Sequence, residues 1–281
     1  MKVGLTLPSF VEDPEIPIRV ARAAEAAGVD GVFVYDHLFR LDREGNQRPA
    51  IECTALLGAL AVETERITLG TLVVRATLRP PATLAAALDT VARIAGPRLV
   101  VGIGSGDEES RPEMETFGLP MGSVGDRVSA LEAAVRTLAD RPYPTWVGGR
   151  AAHVGPVAAA YGGGWNRWGL DATKFAAEAQ RVQSQRDEAG TSGPFTISWG
   201  GLVVVGDDDA EARIRADRLG AGAGTIVGGP STTADALAAY GAAGAEWVIL
   251  GPLDASDPAN ATRIGEGVVP ALRDVAAVSP R

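Results

Sequence analysis

Short apolar runs alternate along the chain with longer segments whose apolar residues recur at helical spacing. A run of four to eight apolar residues bounded by turn residues reads as a strand buried on both faces, and spacing of three and four reads as one face of a helix. Residues 3–7 form the first run, followed by a helical segment at 14–27 that Gly28 stops. Gly-Val-Phe-Val at 31–34 is the second run, with its helix at 51–63. Residues 67–72 are the third strand. Pro80-Pro81 then opens a helix to residue 94, since proline suits a first turn, and Gly96-Pro97 stops it.

The same alternation continues to the end. Residues 98–103 are the fourth strand, and 127–138 carry Val128, Leu131, Val135 and Leu138 on one helical face. The fifth strand and helix fall at 145–148 and 151–161, the sixth at 163–166 and 173–188, closed by Gly190. Residues 195–205 are the seventh strand. Ser231 reads as the N-cap of a helix at 231–243, with Gly244 past its end. The eighth strand is at 247–250 and the last helix at 260–275. A short helix at 209–219 and a Gly-rich loop break the alternation, as an insertion after strand seven. Eight strand–helix pairs predict a closed (β/α)8 TIM barrel, one domain over residues 1–281. A doubly wound open sheet is the alternative, and the count of eight favours the barrel. No repeat of 20–50 residues is evident.

Composition narrows the function classes. A length of 281 residues suits a single α/β barrel, which runs at about 250 residues. The net charge of −9, without a basic block, leaves no electrostatic footprint for nucleic acid or an anionic membrane. No stretch approaches the roughly 20 apolar residues of a membrane span, and the N-terminal apolar run is too short for a signal-peptide core. A soluble cytoplasmic protein is therefore expected. Cys53 is the one cysteine, which excludes an internal disulfide. It lies in an apolar helix, where an inert buried thiol is expected. With only His37 and His153, no His-rich metal site is expected.

A barrel gathers its chemistry at the C-terminal ends of its strands. Tyr35-Asp36-His37 follow strand two, Val73-Val74-Arg75 strand three, and Gly104-Ser105-Gly106-Asp107-Glu108-Glu109 strand four. Gly148-Gly149-Arg150 follow strand five, Asn166-Arg167-Trp168 strand six, and Gly251-Pro252 strand eight. Polar, Gly-rich and titratable positions thus converge on one rim. His37 beside Asp36 reads either as a proton donor or acceptor near neutral pH, or as a partly buried histidine satisfied by backbone. Asp107 to Glu109 read either as an acid or base facing His37, or as a solvated acidic loop. Gly102, Gly104 and Gly106 alternate, but a dinucleotide fingerprint needs glycine at position 107, so a tight turn is the better reading. Gly148-Gly149-Arg150 before a helix suits a phosphate, or simply a turn that needs glycine. Trp165 and Trp168 read as an aromatic wall beside a ring system, or as rim packing. Asp207-Asp208-Asp209-Ala210-Glu211 reads as an acidic helix start rather than a metal site.

Six segments in order resemble the bacterial-luciferase-like family of flavin and deazaflavin oxidoreductases. They are residues 31–37 (Gly-Val-Phe-Val-Tyr-Asp-His), 65–73, 97–106, 144–149, 163–166 and 241–250, which together span nearly the whole chain. The resemblance implies a barrel that binds FMN or coenzyme F420 at the strand C-termini. It implies that His37 lies by the reactive ring, with Asp36 beside it and Asp107 as a second acid or base. It implies a bulge at Leu72-Val73, often with a non-prolyl cis peptide, behind the ring. Gly104 and Ser105 would join the cofactor site, and Gly148, Gly149 and Arg150 would hold its phosphate. Trp165 and Trp168 would face a small-molecule substrate. Coenzyme F420-dependent hydride transfer is the leading expectation. An FMN-dependent monooxygenase fed by a partner flavin reductase, or a non-catalytic flavin-binding protein, are the alternatives. A homodimer is implied by the family. Relative to the pattern, the segment between Leu138 and Pro144 is short, which predicts a thinner lid over the substrate side.

Overall fold

The computed structural model describes residues 1–42 and 44–278. Its elements run β1 (Lys2–Thr6), α1 (Glu15–Ala26), β2 (Gly31–Val34), β3 (Phe39–Leu41), β4 (Gln47–Pro49), α2 (Cys53–Glu63), β5 (Thr68–Arg75), α3 (Pro81–Ala95), β6 (Leu99–Gly104), α4 (Arg111–Thr116), α5 (Val124–Leu138), β7 (Thr145–Gly148) and α6 (Ala151–Tyr161). They continue with β8 (Gly164–Trp168), α7 (Ala172–Glu188), β9 (Thr196–Val205), α8 (Asp209–Leu219), β10 (Ile226–Gly228), α9 (Pro230–Ala242), β11 (Trp247–Pro252), α10 (Pro258–Arg263) and α11 (Val269–Val278). The parallel order β1–β2–β5–β6–β7–β8–β9–β11 returns to β1 and closes the eight-stranded barrel. β10 adds to the far end of β9 at Val203, Val204 and Val205.

Strand alternation sorts the apolar side chains into two cores. Val32, Val101, Val147, Val248 and Leu250 point outward and join the helices in the larger cluster. Phe33, Leu72, Val100, Trp146, Trp247 and Ile249 point inward and fill the barrel. The inner plug holds unusually large rings for so narrow a space, and glycine makes room for them. A Cβ on Gly4 or Gly70 would stand 2.7 or 2.5 Å from the Phe33 ring. Phe33 stacks on Trp146 with centroids 6.0 Å apart and meets Trp247 edge-on at 5.9 Å.

Several boundaries differ from the sequence expectation. β5, β8 and β11 run on to Arg75, Trp168 and Pro252, because polar and aromatic residues there still pair across the barrel mouth. Ser231 is not the N-cap of α9. Gly229 holds that position, and Asp209 from α8 serves the helix start, accepting the Gly229 N–H at 2.7 Å and the Thr232 hydroxyl at 2.9 Å. The acidic start of α8 behaves as expected, with Asp208 accepting the Ala210 and Glu211 N–H groups at 2.8 Å. The last helix is divided by a π turn at Ile264–Val268. The β3–β4 hairpin was not foreseen. Its strands are three residues each, too short to carry a pattern, and Asp42 holds the turn by accepting N–H groups of Glu44 and Asn46. This hairpin and α4 stand over the His37 side of the mouth, with Phe39 packed on Phe117 at 6.2 Å. No helix among the described residues is long and apolar enough to cross a membrane.

Candidate active site

A cavity of about 750 Å³ opens at the C-terminal ends of the strands. Its back wall is the bulge on β5. The Leu72–Val73 peptide is cis, and the β5–β6 register shifts between Thr71 and Val74. The Val73 side chain sits where β6 and β7 both carry glycine. A Cβ on Gly104 or Gly148 would stand 2.7 or 2.5 Å from a Val73 methyl. Ser105 continues the same wall.

His37 follows β2 and is one-third exposed, with its side chain at 33%. Its Nδ1 lies 3.1 Å from Glu113 Oε2. Glu113 comes from α4, is buried, accepts the Leu38 N–H, and lies 2.8 Å from Arg75 Nη2. Burial opposes the charge on Glu113. The hydrogen bonds from His37 and Leu38 and the Arg75 charge outweigh it and hold the carboxyl down at about 2. An ionised carboxylate only accepts, so His37 Nδ1 carries the proton and Nε2 is left for other partners. Phe10 flanks the imidazole with centroids 5.3 Å apart.

The carboxylate expected to face His37 was Asp107. It lines the cavity, but its Oδ1 caps its own turn, accepting the Ser110 N–H and hydroxyl at 3.0 Å each. Glu113 takes the place opposite the histidine. No motif marks it in the sequence, because the contact spans 76 positions and depends on where α4 folds back.

Asp36 also lines the cavity, with its carboxylate engaged within the protein. It is 1% exposed, and its carboxylate accepts both Arg79 nitrogens at 2.8 and 3.0 Å, the Arg75 N–H at 2.9 Å and the Cys53 thiol at 3.2 Å. It clamps β2, β5 and α2 together beneath the mouth. Asp36, Glu52 and Cys53 bring ligand-type atoms within 4.8 Å of one another, but Arg79 pairs with both carboxylates and supplies the cation there. Burial works against the charge on Arg79 and the carboxylates overcome it. Burial, and then Asp36 and Glu52, push the Cys53 thiol well above its usual value, as an inert cysteine requires.

At the β7–α6 turn Gly149 adopts φ 143°. Its N–H donates to Asn166 O at 3.1 Å, and the Ala151 N–H donates to Glu178 at 2.9 Å. Glu178, paired with Arg167 at 3.2 Å, thus already serves the start of α6. Gly148, Gly149 and Arg150 do line the cavity, and Arg150 is exposed there. The two tryptophans part company. Trp168 lines the cavity floor against Gly200 and Gly251. Trp165 faces the helices, fully buried, stacked on Phe175 at 5.9 Å and donating to Gly149 O, so it is not a wall of the site.

The luciferase-like monooxygenase family profile matches residues 1–246. An uncharacterized protein of Mycobacterium tuberculosis is 29% identical over 229 residues, covering 67% of this chain and 78% of that one. The F420-dependent glucose-6-phosphate dehydrogenase of Amycolatopsis mediterranei is 28% identical over 188 residues, 58% of this chain and 55% of the enzyme. Among solved structures, an F420-dependent secondary alcohol dehydrogenase in complex with an F420-acetone adduct superposes with a TM-score of 0.81 at 16% identity, covering 97% of this chain and 99% of that one. A riboflavin lyase with modified FMN and riboflavin superposes at 0.80 and 14% identity, covering 99% and 92%. At these identities the superpositions speak for the fold.

Proposed function

The chain belongs to the luciferase-like monooxygenase family, and from that premise we propose that it is an oxidoreductase whose mouth cavity binds coenzyme F420 and a small organic substrate. The observation that carries this reading is the Val73 bulge, seated in the Gly104–Gly148 gap at the wall of the same cavity that His37 enters. A flat ring system fits against such a backbone wall, and the cavity volume lies within the range of small-molecule sites. The relatives named as F420-dependent favour the deazaflavin over FMN.

The bound deazaflavin supplies hydride chemistry at its ring carbon. The protein's part is position and protons. Leu72 and Val73 would back the ring, with Gly104 and Ser105 alongside, and Arg150 on the Gly148–Gly149 turn would hold the phosphate. Trp168 forms an apolar floor for the substrate. His37, fixed through Nδ1 by Glu113, presents Nε2 to donate or accept the proton that accompanies hydride transfer. Asp107 lines the same cavity, with Asp36 and Glu108.

Titration of the purified protein with FMN and coenzyme F420 tests the reading, with His37→Ala and Arg150→Ala alongside. Selective deazaflavin binding is expected, weakened about tenfold by Arg150→Ala through loss of a charge-assisted contact. His37→Ala is expected to keep the binding and to lower turnover at least 10²-fold, the usual yield of a general acid or base. Preference for FMN, with oxygen consumption on supply of reduced flavin, would move the assignment to a monooxygenase served by a reductase. Binding of neither would sink the proposal.

A further inference from the structure

Two buried guanidinium groups in the cavity wall have more donors than partners. Arg75, at the end of β5, has a side chain only 5% exposed. Its Nη2 lies 2.8 Å from Glu113 Oε1, out of line for a hydrogen bond. Nε and Nη1 likewise have no hydrogen-bond partner among the described residues. The side chain runs beneath the Gly106 turn, where a Cβ would stand 3.7 Å from Arg75 Cδ. Arg127, on α5, has a side chain 9% exposed. Its Nη1 donates to Gly122 O at 3.1 Å and stands 3.7 Å from Glu108 Oε2, and its buried Nε has no hydrogen-bond partner among the described residues. Both residues line the same cavity.

A guanidinium cannot shed its proton to escape burial, and its planar fork matches the spacing of two oxyanion oxygens. Among the described residues, Glu113 is the one carboxylate paired with the Arg75 guanidinium, and it also serves His37 and the Leu38 N–H. Its single charge is therefore shared. Buried donors without acceptors are costly and rare in folded proteins, and in a cavity wall they mark where an acceptor belongs. Oxyanions complement such donors far better than neutral groups do.

We propose that Arg75, with Arg127 in the same wall, forms an oxyanion-receiving pole of the cavity, so that the ligand bound there carries a carboxylate, sulfonate or phosphate group. The inference deepens the proposed function by naming the chemistry of what that cavity takes. It differs from the Gly148–Arg150 turn, where Glu178 already serves the helix start. The anionic group belongs to the substrate if Arg150 holds the cofactor's phosphate as proposed above, and to that phosphate if Arg150 does not, and the two sources separate experimentally.

Affinities of FMN, riboflavin, coenzyme F420, acetate, methanesulfonate and inorganic phosphate are measured by calorimetry at constant ionic strength. The proteins are wild type, Arg75→Gln, Arg75→Lys and Arg127→Gln, each checked for its unfolding midpoint. Saturable binding of at least one small anion to wild type is expected, weakened tenfold or more by Arg75→Gln and less by Arg75→Lys, which keeps charge but not the fork. If the pole takes a substrate's anion, cofactor affinity stays within twofold in Arg75→Gln, while the small anion is lost from the cofactor-loaded protein. If it takes the cofactor's phosphate, Arg75→Gln weakens FMN or F420 tenfold and leaves riboflavin unchanged. The proposal is overturned if wild type binds no small anion and every cofactor affinity ignores Arg75→Gln, with a lowered unfolding midpoint then marking Arg75 as a structural partner of Glu113. Should wild type bind neither FMN nor F420, the cofactor reading fails, and the small-anion titration of the apo-protein still decides the pole.

Discussion

Glu113 shows how one buried carboxyl can organise a site without a motif around it. It joins α4 to the loop after β2 and to the end of β5, through His37, the Leu38 N–H and Arg75. Its carboxyl titrates at about 2 in the folded protein against an ordinary 4.5. A depressed folded value means that the contribution to stability is fully present above about 4.5 and is lost as pH falls toward 2. A gap of that size corresponds to roughly 3 kcal/mol at neutral pH. Glu113→Gln is therefore expected to lower stability at pH 7 by about 2–4 kcal/mol, partly because Arg75 then has no anion beside it. Urea unfolding of both proteins between pH 7 and pH 2.5 checks this. The deficit of the variant must shrink as pH falls below 4.5, and a deficit constant with pH would refute the assignment. The same substitution frees the imidazole from its fixed tautomer, so the pH profile of turnover is expected to change along with its height.

The β5 bulge works at the scale of elements, because three strands must agree for it to exist. β5 supplies Val73, and β6 and β7 each withhold a side chain at the facing position. Gly104→Ala places a methyl 2.7 Å from Val73 Cγ2, against a short β-branched side chain with little freedom to move aside. Overpacking of this kind costs about 1–3 kcal/mol. Thermal unfolding and cofactor titration of Gly104→Ala are expected to show that loss together with weaker binding. Unchanged affinity would mean that the wall is not where the ring rests. The elements themselves were largely legible beforehand. β7 and α6 matched at both ends, because Pro144 and Gly149 punctuate them and the apolar pattern is unbroken between. β5 runs three residues past the expected end at Leu72, to Arg75, which is buried and pairs with Gly104. The site was less legible than the fold. Trp165 and Trp168 look like neighbours in the sequence, yet residues three apart on a strand point to opposite faces, one to the helices and one to the cavity. His37 was visible as a strand-end histidine. Its partner was not, since the contact with Glu113 is tertiary and local spacing carries no trace of it.

Across the whole molecule, the barrel interior is divided between a dry plug and a polar mouth. Phe33, Trp146 and Trp247 meet within 6.0 Å of one another, and Ile249, Val100 and Leu72 complete the plug. Above it the lining turns to His37, Arg75 and Asn166, with Trp168 packed at the boundary. A rigid apolar floor lets the mouth residues hold their geometry without collapsing inward. Phe33 is the keystone, because Gly4, Gly31 and Gly70 leave space for its ring and no neighbouring side chain at those positions can refill it. Phe33→Ala is therefore expected to cost about 3–5 kcal/mol, toward the upper end for aromatic truncation, since a ring of glycines cannot close on the void. Urea unfolding gives the energy, and tryptophan fluorescence gives the place, because Trp146 and Trp247 border the cavity made and Trp199 does not. A loss under about 1 kcal/mol would show that the barrel closes over the gap, and the plug would then be filler rather than the support on which the mouth is built.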